Sequence, residues 1–450
     1  MLLIILVGGF ASTALAQPTL QTILTNGPVS NRFNLVVFSE GYTSNQLTQF
    51  RADATNAVAG LLSHLPYQEY ASYFNAFAIA VPSNQSGSDH PNSGLYRDTY
   101  FNSAYDAVSD YLITIPSDSQ GQGKVDALLQ ALMPQANLSI LLVNDPTPGG
   151  SDGFDQTAIA AVGVDSGDQA EILTHETGHV VGNLGDEYTY PYPGFPDTEE
   201  PNTTQETRPA FIKWRAWILT NTPLPTPPTS AYASVIGLFE GAHYHTTGWY
   251  RPKLDCLMNH LYAPFCEVCR ETLVLAFYAH VRPVDSFHPL STNLSLVSTQ
   301  SSSFSLSVLA PSTHSLQVQW SADGVDIPGG TNSYLVLGPQ SPGLHTLTAV
   351  VTDPTGYVRN DPSSRLRQVV TWSLNVSPAP LRLVSPLLLP GNAFAFCVTG
   401  SAPQGFAVQT STNLTDWVSV GTNFLAGGQC WYTNPPAPAV SRAFFRTRAL

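Results

Sequence analysis

Basic residues are scarce in this chain. Lysine and arginine number 18 against 32 aspartates and glutamates, a formal net charge of −14 over 450 residues. A surface so poor in cations does not neutralise phosphates or anionic headgroups, which excludes nucleic acid and anionic membrane surfaces as partners. Long apolar runs are also missing. After the N-terminal segment nothing approaches the roughly 20 apolar residues a transmembrane helix needs, so no membrane insertion is expected. Cysteine is sparse, with five in the chain: Cys256, Cys266, Cys269, Cys397 and Cys430. The single C-x-x-C, Cys266 to Cys269, has no partner pair elsewhere, which argues against an ordinary zinc ribbon. Cys397 with Cys430 is the expected C-terminal disulfide. Cys256 is expected to pair with Cys266 or Cys269, leaving one thiol over. A zinc site on those three cysteines is the competing reading.

Apolar residues make up 43% of the chain, ample for true cores. The length exceeds what one core usually serves, so two or three domains are expected. The opening "MLLIILVGGFASTALAQPTL" is an apolar run too short to span a bilayer, followed by Ala14-Leu15-Ala16 in an A-x-A cleavage pattern. It carries no lysine or arginine ahead of the run. The expectation is a signal peptide over residues 1–16, Gln17 as the mature start, and a secreted, extracellular protein.

Residues 17–283 mix strand and helix signals. "RFNLVVF" (32–38), "FNAFAIAVPS" (74–83), "NLSILLVND" (137–145) and "TAIAAVGVD" (157–165) read as strands. "TSNQLTQFRADATNAVAGLLSHL" has helical spacing, opened by a Thr43/Gln46 capping box. Alternating strands and helices define an α/β or α+β layered domain. Prolines crowd residues 188–230, a loop-rich stretch. From about 284 to 377 the texture turns to serine, threonine and valine in period two, with Leu316, Val318 and Trp320 on one face and "GLHTLTAVVTDPTG" as strand then turn. This reads as an immunoglobulin-like or PKD-like β-sandwich. Residues 378–450 read as a small β module bearing the Cys397/Cys430 pair. Both tail segments read as spacer or stability modules, or as modules for cell-surface or glycan contact, and the sequence favours neither reading; neither shows a cluster of catalytic residue types.

The chemistry concentrates in "HETGHVVGNLGDEY" (175–188). Ser166 and Gln169 form a capping box for a helix through "GDQAEILTHETGHVV". His175 and His179, four apart, share one helix face and can both reach one zinc ion at about 2.0–2.1 Å. Glu176 is poorly placed to ligate and well placed as general base for the attacking water. The segment lacks a third histidine. The H-E-x-x-H-x-x-G-x-x-H pattern of metzincin-type zinc peptidases puts a helix-ending glycine where Gly182 stands, expected here in left-handed geometry, and a histidine where Gly185 stands. Asp186 follows at once, as though the turn were one residue longer with a carboxylate ligand; Glu187 beside it and Glu240 further on are the alternatives. Downstream, Met258 is a candidate for the methionine turn beneath the metal, and His243 and His245 for further ligands. Tyr244, Tyr188 and Tyr262 are the candidates for stabilising an oxyanion.

Taken together, "RFNLVVFSEGYT", "FNAFAIAVPSNQSGSDHP", "DTYF", "HETGHVVGNLGDEY", "GLFEGAHYHTTGWYRP" and "CLMNHLYAPFCEVCRE" resemble, in this order over residues 20–280, the bacterial IgA-cleaving zinc metallopeptidases. The resemblance implies an α/β (α+β) metzincin-like zinc protease domain followed by the two all-β pieces. It implies one catalytic zinc, His175, His179 and Asp186 as ligands, Met258 as the methionine turn, and protein or peptide substrates. The expected function is a secreted zinc metallo-endopeptidase with Glu176 and Tyr244 in catalysis. The reading from another class is a non-catalytic secreted binding or adhesion protein on a degenerate peptidase scaffold.

Overall fold

The computed structural model describes residues 18–450 except 107–108, 110, 154–155, 164–165, 392 and 436–441. The expected signal peptide and Gln17 lie outside the described residues, as does the Ser166 side chain of the expected helix cap. The described residues divide into two compact units. The first runs to Pro283 and takes in Leu309–Leu316 and Asp353–Arg367; the second comprises Val284–Val308, Gln317–Thr352 and Gln368–Leu450.

The first unit mixes α and β structure. Its strands, in chain order, are β1 (Thr19–Leu24), β2 (Phe33–Glu40), β3 (Phe74–Ala80), the short pair β4 (Ala104–Tyr105) and β5 (Ile113–Thr114), β6 (Leu138–Val143), β7 (Gly150–Ser151) and β8 (Thr157–Ala161). Six of them form one sheet in the order β1-β3-β2-β6-β8-β7. The inner four run parallel, and the edges β1 and β7 are antiparallel. Every residue of β2, β3, β6 and β8 is buried. That is why these segments read as unbroken apolar runs: a parallel strand is covered on both faces.

The helices are α1 (Leu47–Leu61), α2 (Gln122–Leu132), α3 (Ser166–Gly182) and α4 (Glu267–His280). On one face of the sheet Val36, Phe38, Phe77, Ile79, Val143 and Ile159 pack with Val125 and Leu128 of α2. Alternate residues point the other way, and there Ala76, Ala78, Ala158 and Ala160 keep the surface low. Onto that side come α1, against β2 and β3, and α3, against β8, with α4 on α3. The Thr43/Gln46 capping box is present, but it opens a 3-10 turn (Ser44–Gln46) that leads into α1. A hairpin of β9 (Phe239–Ala242) and β10 (His245–Arg251) completes the unit.

The second unit is all β. Phe304, on a three-stranded sheet, packs its ring against Trp320 and Trp372 of a five-stranded sheet, with Phe304 and Trp372 centroids 5.2 Å apart. Val318 and Trp320 are buried on the face expected. Two further three-stranded sheets enclose Phe396, Val398, Phe406 and Val408. The expected Cys397–Cys430 disulfide is not formed: both cysteines are free. Their strands pair, but the register sets Cys397 opposite Trp431 and Cys430 opposite Val398. Side chains alternate between faces, so this one-residue offset puts the two sulfurs on opposite sides of the sheet. Among the described residues no helix is long and apolar enough to cross a membrane.

Candidate active site

Helix α3 presents His175 and His179 one turn apart, ring centroids 4.8 Å from each other. Its close approach to α1 depends on Gly60, where a Cβ would stand 2.9 Å from that of Ala170. Each imidazole is fixed from behind. His175 Nδ1 donates to the Leu257 carbonyl at 3.0 Å, and His179 Nδ1 donates to the Leu184 carbonyl at 2.5 Å. A carbonyl only accepts, so each Nδ1 carries a proton and both Nε2 atoms face inward, 3.1 Å apart, where each can ligate once deprotonated.

Asp186 completes the convergence. Its Oδ1 lies 3.2 Å from His175 Nε2 and 3.5 Å from His179 Nε2, and this buried oxygen has no hydrogen-bond partner. Three lone pairs directed at one point repel unless a cation lies between them. Tetrahedral ligands about 2.05 Å from a zinc ion stand about 3.3 Å apart, which these spacings match. Electrostatically the pocket attracts positive charge, a proton or a metal ion alike. Burial works against charge on His179, yet the Asp186 carboxylate holds its pKa up at about 10. Asp186 is largely shielded from water, which works against its charge, and the histidines nonetheless hold it far below the usual carboxylate range. Glu176 approaches both imidazoles, its ligand oxygen within 4.8 Å of their nitrogens, and burial pushes its pKa up to about 7. Gly150 of β7 brings bare backbone close to it: a Cβ there would sit 3.1 Å from Glu176 Oε1.

The turn carrying Asp186 departs from expectation in one detail. Gly182 is the last residue of α3, and the left-handed residue is Asn183, at φ 48°. Asparagine is the commonest substitute for glycine at such a helix end. Gly182 is small for a different reason, since a Cβ would meet Leu184 at 3.0 Å and Leu273 at 3.2 Å. Gly185 has no room for a side chain either: its Cβ would lie 2.5 Å from Glu200 Oε2. Asn202, which the sequence did not single out, pins the turn by bonding both the amide and the carbonyl of Gly185 and by donating to Glu187 Oε1 at 3.0 Å.

The other candidates separate clearly. Glu187 is fully buried and points to Cys256, Cys266 and Cys269, away from the histidines. Met258 packs beneath the helix, its Sδ 3.0 Å from where a Gly178 Cβ would be, and its carbonyl accepts the Glu187 amide at 2.8 Å. Tyr244 donates its hydroxyl to Asp186 Oδ2. It sits with His243 in a two-residue turn between β9 and β10, both residues at positive φ (59° and 52°). That is the signature of a type I′ turn, which strongly prefers asparagine and glycine, so two bulky residues here mark a strained position. The turn is held by backbone bonds, His243 N to Asp186 O at 3.0 Å and Tyr244 N to Tyr188 O at 2.9 Å. Tyr188 stacks 6.0 Å from His175. Tyr262 does not join them; its hydroxyl bonds Asp168. His243 is committed to Glu200 and the Pro196 carbonyl, His245 bonds the His243 carbonyl, and exposed Glu240 bonds the Gly248 amide. None of these three faces the convergent site.

A buried pair of helix histidines, a carboxylate completing their triangle and a second carboxylate beside it are a donor set able to hold a metal ion. The family described as IgA Peptidase M64 matches residues 22–232 and 228–277. The chain belongs to this family and is a peptidase. No curated protein matches it. Among solved structures, the fibronectin(III)-like modules of Clostridium thermocellum CbhA are 12% identical, covering 34% of this chain and 78% of theirs, with a TM-score of 0.16. Three N-terminal domains of the outer capsid protein Hoc of bacteriophage RB49 are 10% identical, covering 36% and 61%, with a TM-score of 0.17. Neither likeness is close enough to bear on the fold.

Proposed function

We propose that this peptidase is a zinc-dependent, metzincin-like endopeptidase in which His175, His179 and Asp186 hold the metal. The observation that carries the reading is the convergence of three ligand atoms 3.1–3.5 Å apart, one of them a buried carboxylate oxygen with no hydrogen-bond partner. A zinc ion bound there supplies Lewis acidity, polarising the scissile carbonyl and acidifying water. Glu176, its carboxylate within 4.8 Å of both imidazoles, takes the proton of the attacking water and delivers it to the leaving amine. Its raised pKa suits a group that must both accept and release a proton near neutrality. Tyr244, its hydroxyl engaged by Asp186, acts as a positioning residue for that ligand. Substrates are proteins or peptides, and the N-terminal A-x-A pattern supports export.

The test is a proteome-wide cleavage profile of wild type beside Glu176→Gln. Glu176→Gln keeps the metal and loses about 10²–10⁴-fold in kcat/KM. Equal cleavage by the two proteins would overturn the assignment, and a wild type that binds zinc but cleaves nothing would favour a non-catalytic binding protein.

A further inference from the structure

Behind the histidine site lies a second set of metal-ligating groups that the peptidase reaction does not use. Cys256, Cys266 and Cys269 are all buried and all free. Cys269 Sγ lies 3.7 Å from Cys256 Sγ and 3.5 Å from Cys266 Sγ, so no pair is bonded. This corrects the expected Cys256 disulfide. Glu187 joins the three sulfurs, the four ligand atoms all lying within 4.8 Å of one another. Glu187 Oε1 is bonded by Asn202, whereas Oε2 is buried with no partner.

We propose that Glu187, Cys256, Cys266 and Cys269 bind a second zinc ion, structural in kind, as a closed three-thiolate, one-carboxylate site. Zinc–sulfur bonds of about 2.3 Å at tetrahedral angles separate sulfurs by about 3.8 Å, close to the spacing seen. Four protein ligands leave no open position, which is the mark of a structural site. One sulfur receives an amide hydrogen bond suited to a thiolate, Cys266 N–H to Cys256 Sγ at 3.2 Å. The buried Arg251 interacts electrostatically with Glu187, Cys256 and Asp255 and offsets part of the negative charge. A disulfide between two of the cysteines would leave Glu187 Oε2 still unpartnered; the metal satisfies all four groups. Thiol and carboxyl protons on the four ligands are released to solvent as the metal–ligand bonds form, and no oxidation or reduction is involved. The ion would anchor the Cys256–Met258 loop, whose carbonyls fix His175 and the Glu187 amide.

The deciding variant is the full chain with His175→Ala and His179→Ala, which removes the first site and makes the outcome independent of the peptidase reading. Metal analysis after dialysis against a chelator should find one zinc per chain, and alkylation under denaturing, non-reducing conditions should modify all five cysteines. Zinc-free protein, or a disulfide among the three, overturns the site. Adding Cys266→Ser and Cys269→Ser to that variant should abolish the remaining zinc; zinc retained there overturns it as well. If those serine changes prevent folding, cobalt loaded into the histidine variant decides. Thiolate-to-cobalt charge-transfer absorption supports the site, and its absence overturns it.

Discussion

Asp186 and Glu187 are adjacent and chemically near-identical, yet the backbone sends one to two imidazoles and the other to three sulfurs. Asp186→Ala should therefore empty the histidine site and abolish cleavage, while Glu187→Ala leaves metal at the histidine pair; metal analysis of each, in a background lacking Cys266 and Cys269, reads the difference. The opposite pattern would exchange their roles. Tyr244→Phe tests the next shell. Losing the hydroxyl that orients a ligand weakens zinc affinity by about 10–100-fold, measured by competition with a chromogenic chelator. An unchanged affinity would return Tyr244 to a role on the substrate side. Much of this was legible in the sequence, because His175, Glu176 and His179 depend only on helical spacing. The choice between Asp186 and Glu187 was not, since it turns on Asn202 and on a cysteine loop some seventy residues away.

The unit of design at the next scale is α3 lying on the Cys256–Met258 loop. Gly178 makes that contact possible: a Cβ there would stand 3.0 Å from Met258 Sδ and 3.1 Å from the Phe265 ring. Gly178→Ala gains about 1 kcal/mol of helix propensity and loses about 1–3 kcal/mol to overpacking. The expected result is a modest fall in melting temperature with a disproportionate fall in kcat/KM, because Leu257 is drawn off His175. An alanine variant with full activity would show that the loop does not set the histidine. Strands β2, β3, β6 and β8 were readable as unbroken apolar runs. The hairpin turn at His243-Tyr244 was not, for it lacks the turn residues that Asp323-Gly324, a turn of the same φ signature in the second unit, displays openly.

For the whole molecule, charge is the property fixed by composition alone. The balance puts the isoelectric point near 5.0. Residues 1–16 hold no charged side chain, so their removal leaves that balance unchanged. Above this pH the protein is an anion and its copies repel; below it the net charge turns positive. Self-association should peak around pH 5 and fall on either side, as light scattering across a pH series would show. The mixed first unit and the all-β second unit were both visible as a change of texture near residue 284. The return of Leu309–Leu316 and Asp353–Arg367 to the first unit was not, because it rests on distant contacts such as His314 with Glu69 and Asp353.

Gly185 leaves a mark on the routes by which this site can change. A three-histidine site of the kind common to metzincins would need an imidazole at that position, where Glu200 Oε2 already stands. Glu200 cannot simply swing aside, being paired to buried His243 at 3.1 Å and bonded by Thr203. His243 in turn shares the hairpin turn that delivers Tyr244 to Asp186. One substitution therefore does not suffice: Gly185→His is viable only with simultaneous change at Glu200 and repair of the turn. Glu200, His243 and Tyr244 thus bar the three-histidine arrangement together rather than singly.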